Sequence, residues 1–203
     1  NRVENMGWND DDGLKSTLSK RSRKHFNHDV LNYKDKFIAE IVQEYTEEEL
    51  QYFYELYLKV KNNSLALNTY KLPFALFKKI AENPNWEMMK LTLKPEFRDA
   101  NNNKPVAICI LNKGITKFTF LLIGMDYDTN KEFNTYKQAM YRVLVRGREL
   151  GYKEVELGYS AVFEKKKFGA IQIKSCAYMQ VRDNYNMEAL SAVSIKSKST
   201  KRV

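Results

Sequence analysis

Cysteine and histidine are scarce here, two of each in 203 residues, and that scarcity removes whole classes of chemistry. His25 and His28 sit in a basic, polar stretch, and Cys109 and Cys176 in apolar, strand-like runs. No ligand spacing links the four, so no metal site is expected. The cysteines read as free, buried thiols in a reducing compartment, and the chain as cytoplasmic. Neither Cys nor His falls at a turn that would expose it, which leaves little for a Ser–His or Cys–His nucleophile pair. A P-loop and a dinucleotide fingerprint are both missing. No apolar run reaches the roughly 18–20 residues that span a bilayer; the best covers only residues 118–125. The start carries no secretory apolar segment. It opens on Asn1, and the chain reads as cut from something longer.

What is present argues for a folded protein. Apolar residues make up 43% and aromatics 13%, enough for one well-filled core and too much for a disordered chain. The formal charge of +9 is concentrated in Lys20–Lys24, Lys165–Lys167 and the tail from Lys196 to Arg202. Such runs are usually solvated faces, and an anionic small-molecule partner is the next most economical reason for them.

Hydrophobic spacing orders the chain. Residues 1–13 are polar and acidic and are expected to be loose. Leu14, Leu18, Phe26, Val30 and Leu31 recur at helical spacing over 14–31. Residues 36–43 read as a strand. Thr46 with Glu49 forms a capping box that opens a helix carrying Leu50, Phe53, Tyr54, Tyr57 and Val60. A second helix runs from about Leu72 to Glu82, with Pro73 in its first turn and Pro84 closing it. Strands follow at 86–93, 105–111 and 115–124, joined by connections short enough for an antiparallel meander. Residues 134–150 form the clearest helix, ended by Gly151. A strand at 152–158, a short helix at 161–167 and a last strand at 171–181 complete the series. The predicted fold class is therefore α/β (α+β): a mixed, mostly antiparallel central sheet with helices on both faces. Three segments are expected: a basic helical extension over 1–35, a main domain over 36–185, and a flexible basic tail over 186–203.

That order, with Glu156-Leu157-Gly158 followed by Lys165, Phe168 and Gly169, resembles the GNAT acyl-CoA N-acyltransferase superfamily. Within it the chain looks like the FemAB-like, peptidoglycan-type group, including domains fused behind pyridoxal-phosphate acyltransferases. Tyr136, the run Arg148-Glu149-Leu150-Gly151-Tyr152 and the basic entry at 18–26 fit the same pattern, so the resemblance covers nearly the whole chain. One departure is clear. Ordinary GNAT members place a glycine-rich loop before the crossover helix, where bare amides hold a pyrophosphate. Here residues 125–135 contain no glycine and carry Asp126, Asp128 and Glu132.

The resemblance implies acyl or aminoacyl transfer to an amine. Acyl-CoA or an aminoacyl-tRNA would be the donor substrate, and a small-molecule amine or a cell-wall or lipid precursor the acceptor. It also allows a fused upstream enzyme domain as partner. The donor would lie where the sheet parts between 115–124 and 152–158. Amides in the span from Leu122 to Gly124 would then face a developing oxyanion. Glu156 is the candidate to bind or deprotonate the amine, with pairing to a lysine as the alternative. Tyr159 and Tyr178 are candidate acids that could as well be rim or core. Lys165 would hold a phosphate, a carboxylate or the donor carbonyl, unless it is one of three solvated lysines. Arg23 and Asn68 complete the donor- and substrate-binding set. Two other classes stay open. One is a catalytically silent GNAT-like binding or assembly domain of a larger enzyme. The other is a nucleic-acid binder, suggested by charge alone and merging with the first reading only for a tRNA-borne donor.

Overall fold

The computed structural model describes residues 1–63, 71–99, 103–174 and 188. The chain divides into a unit of Asn1–Ile173 and a second of Lys174–Val203, of which only Lys174 and Glu188 are described. The expected strand beyond 174, Cys176, the boundary at 185 and the tail from 186 thus lie outside the described residues, Glu188 excepted.

The first unit is built on a six-stranded sheet in the order β1-β6-β5-β4-β3-β2. Its strands are β1 (Arg2–Val3), β2 (Phe37–Ile41), β3 (Trp86–Leu93), β4 (Ala107–Lys113), β5 (Phe118–Met125) and β6 (Val155–Glu156). Every neighbouring pair is antiparallel except β5 with β6. The helices are α1 (Asp11–Thr17), α2 (Lys20–Phe26), α3 (Asn32–Lys34), α4 (Glu47–Asn63), α5 (Phe74–Ala81), α6 (Tyr127–Phe133), α7 (Thr135–Glu149) and α8 (Val162–Lys166). A π-helical turn at Asn27–Leu31 joins α2 to α3.

Side-chain alternation sorts the sheet into two apolar faces. Met89, Leu91, Cys109, Leu111, Phe118 and Val155 pack with Leu14 of α1, Phe26 of α2 and Met140, Val143 and Leu144 of α7. Met88, Ile108 and Ile110 meet Phe53, Leu56 and Tyr57 of α4 and Phe77 and Ile80 of α5 on the other side. The capping box forms as expected: Glu49 N–H donates to Thr46 Oγ1 at 3.1 Å, and Thr46 N–H to Glu49 Oε2 at 3.0 Å.

Two expectations need correction. Residues 1–13 are not loose: Val3 joins the sheet, and Val3, Met6 and Trp8 are buried. The helix expected over 14–31 is broken between Thr17 and Lys20, where Ser19 caps a new helix by accepting the Ser22 amide. Residues 1–35 thereby contribute a strand and several buried side chains to the main core.

Glycines set how closely helices approach the parting of the sheet. A Cβ on Gly147 of α7 would meet Val155 Cγ2 at 2.7 Å and Phe118 Cδ1 at 3.1 Å, so α7 rests directly on the β5–β6 pair. A Cβ on Gly124 would lie 2.5 Å from the Tyr57 nitrogen and 2.7 Å from the Leu56 carbonyl carbon. The backbone of α4 therefore lies against β5 at that residue. Gly124→Ala should force the helix off the strand and destabilise the protein by about 2–3 kcal/mol, as overpacking does. Chemical denaturation tests this; an unchanged midpoint would show that α4 has room to move.

Candidate functional site

The parallel strands β5 and β6 stay together for only two residue pairs, Phe118 with Val155 and Thr119 with Glu156. Beyond them no described strand lies against β5 on that side. Two local features separate the strands. Register shifts between Ile110 and Leu111 on β4, where Leu122 and Phe120 are the facing residues and Leu121 is the extra one, which bends β5. On the other strand, Gly158 takes φ +77°, and Ala161 takes φ +51° to start α8.

The bulge decides which backbone groups face the opening. Asp126 N–H donates to the Val106 carbonyl at 2.9 Å. Hydrogen-bonded pairs alternate along an antiparallel ladder, so Gly124 and Leu122 also turn their amides to β4. Ile123 and Met125 turn theirs to the opening. Within the span from Leu122 to Gly124, then, the amide of Ile123 faces the opening, while those of Leu122 and Gly124 are turned to β4. Simple alternation cannot show this, because a bulge leaves no fixed mark in a sequence.

Lys165 comes into the opening from the other side. It is the one buried residue of α8, only 3% exposed, while Lys166 is exposed and Lys167 pairs with Glu164 at 2.8 Å. A methyl group at Gly158 would lie 3.6 Å from Lys165 Nζ and 3.6 Å from the Phe120 carbonyl oxygen. The ammonium therefore sits where the strands part. Among the described residues it has no ion pair, and desolvation lowers its pKa to about 8.

Glu156 lies on the strand next to it but is already engaged. Lys117 Nζ is 3.3 Å and an Arg2 guanidinium nitrogen 3.5 Å from its Oε1, and Arg2 also reaches Glu154 at 3.0 Å. Tyr159 is 76% exposed, with its carbonyl accepting Asn1 Nδ2 at 3.1 Å. Arg23 is exposed on α2, which packs against the segment after α8 through Phe26 and Phe168, ring centroids 6.3 Å apart. Asn68 and Tyr178 lie outside the described residues. Thus the structure brings Lys165 and β5 together at the opening, pairs Glu156 with cations beside it, and leaves Tyr159 and Arg23 on the surface.

The acidic segment before α7 is a helix, not a loop. Asp126 caps α6, accepting the Asp128 and Thr129 amides at 3.1 Å each, and pairs with Lys59 at 2.8 Å. Asn130 Oδ1 accepts the Tyr136 amide at 2.8 Å, occupying a first-turn donor of α7. Beside it Thr135 is fully buried, and no described residue offers its hydroxyl a hydrogen-bond partner. Among the described residues no His, Cys, Asp and Glu cluster suits a metal ion, and no helix is long and apolar enough to cross a membrane.

No protein-family model matches the chain, and no curated protein sequence matches it. Solved structures do resemble it. A crystal structure of FemX superposes with a TM-score of 0.57 at 14% identity, covering 74% of this chain and 50% of FemX. An aminoglycoside acetyltransferase from an uncultured soil metagenomic sample was solved with trehalose and with sisomicin. It superposes at 0.42 and 0.43 with 13% and 14% identity, over 73% of this chain and 98% of that one. The chain thus spans half the length of FemX. At this identity the likeness is one of fold: over about three quarters of its length the chain shares the fold of FemX.

The buried lysine has a measurable cost. Its pKa lies below that of an unfolded lysine, so the penalty is fully present below about pH 8 and fades as pH rises through 10.5. Lys165→Met should therefore be more stable than the parent at pH 7, by about 1–3 kcal/mol after allowance for solvent screening. The gap should close by about pH 10.5. Urea denaturation across that range tests the sign; a less stable variant at pH 7 would mean the ammonium is internally compensated.

Proposed function

We propose that the chain is an acyltransferase domain that moves an acyl or aminoacyl group from an activated donor to an amine, with the donor held between β5 and β6. The observation that carries this reading is the parted parallel pair with a desolvated cation at its apex. Acyl transfer needs donors aimed at the oxygen that becomes an oxyanion, and a site from which water is largely excluded. Outward-turned amides of Ile123 and Met125 supply the first, and the cation of Lys165 fixes an anionic part of the reacting complex. The amine attacks the donor carbonyl, its nitrogen–carbon bond forms, the bond to the thiolate or alkoxide leaving group breaks, and the proton shed by the nitrogen passes to that leaving group. Glu156, paired with Lys117 and Arg2, suits positioning a cationic acceptor at the rim better than abstracting a proton.

Support is weaker for a CoA pyrophosphate held at the start of α7. That turn has acidic neighbours, lacks glycine, and has its Tyr136 amide already bonded. An aminoacyl donor, with a cell-wall-type or small-molecule amine acceptor, agrees better with these features and with the FemAB-like resemblance. The same features favour the second reading, a GNAT-like binding or assembly domain without catalysis inside a larger protein.

Melting temperatures with acetyl-CoA and with an aminoacyl-tRNA separate the two. Transfer predicts a rise with at least one donor and radioactive acyl incorporation into a supplied amine. A rise without incorporation supports the silent module. No rise with either donor counts against the whole assignment.

A further inference from the structure

Lys165 is not explained by acyl transfer alone. A transient oxyanion needs stabilising only during reaction, and amides on β5 already face the place where it would form. A positive charge held largely out of water is costly, and the cost is relieved either by loss of the proton or by a counter-charge that is also there at rest. Nothing described supplies it. Glu164 is bound to Lys167, Glu154 to Arg2, and Glu156 to both Arg2 and Lys117. An anionic group on a ligand would supply the counter-charge that no described residue gives.

We infer that Lys165 binds a carboxylate carried permanently by the substrate that enters the β5–β6 opening, so that the domain selects an acid-bearing acyl group or an amino-acid-like acceptor. This rests on the acyl-transfer reading of the same opening. One feature favours a carboxylate over a phosphate. The Phe120 carbonyl oxygen lies as close to the missing Gly158 side chain as Nζ does, 3.6 Å for each, and repels a dianion more strongly than a monoanion. A planar, singly charged group can turn its oxygens to the ammonium and away from the carbonyl.

Binding should be coupled to protonation. Unoccupied, Lys165 is half-deprotonated near pH 8, and a carboxylate draws the proton back. Isothermal titration calorimetry on the full chain, with acetate, succinate and inorganic phosphate as probes, tests this at pH 7 and pH 9.5. Two buffers of different ionisation enthalpy reveal proton uptake. The expected result is carboxylate binding that takes up a proton and weakens roughly thirty-fold at the higher pH, following the protonated fraction of the lysine. It should vanish in Lys165→Met and Lys165→Gln and persist in Lys166→Met. Phosphate bound in preference to both carboxylates would overturn the assignment in favour of a phosphate-bearing ligand. Binding that survives loss of Lys165, or no carboxylate binding at all, also overturns it. If a donor still raises the melting temperature while neither carboxylate binds, acyl transfer stands and only this inference fails.

Discussion

The structure depends on one constraint: two parallel strands must be clamped at one end and free at the other. Gly147 of α7 sits on the Phe118–Val155 pair so closely that it has no room for a side chain, which closes the lower end of the seam. Glycine inside a helix costs about 1 kcal/mol against alanine, and here that cost is offset by a contact no larger residue allows. Two residue pairs later the bulge on β5 and the positive φ of Gly158 turn the strands apart. The packed cores on both faces, the clamp and the bulge together leave a gap between strands that would otherwise continue their ladder.

Everything proposed for function follows from what that gap exposes. A continued ladder would bind the amides of Ile123 and Met125 to a neighbour; parting leaves them turned outward. It also admits the side chain of Lys165, whose helix has no other buried residue. A cation held largely out of water with no ion pair among the described residues is a poor stability device, and its place at the seam is the physical argument for a binding site there. Glu87 of β3 shows the contrast. It is just as buried, but Arg146 of α7 meets both its oxygens at 2.9 and 3.0 Å, and the pair serves only to fasten helix to sheet.

Much of this was legible in the residues. The meander, the α7 helix and the crossover follow from apolar spacing, and the capping box at Thr46 from two side chains three positions apart. Lys165 was separable from Lys166 in principle, because Lys165 and Phe168 lie three apart on one face of a short helix while Lys166 does not. The N-terminal segment was misread because its acidic composition hides three buried apolar residues, Val3, Met6 and Trp8. Val3 pairs with Val155 and Arg148 lies over the Trp8 ring, contacts that each join residues more than a hundred positions apart. The direction of the β5 amides was not readable at all, since period-two alternation assumes an unbroken register and one extra residue reverses it.

Amide hydrogen exchange at four consecutive residues of β5 tests the central claim most directly. Leu122 and Gly124, bonded into the ladder with β4, should exchange slowly. Ile123 and Met125 should exchange markedly faster and become protected when an acyl donor is bound. Equal, slow exchange at all four in the free protein would mean that the seam is closed, and the account of this site would fail with it.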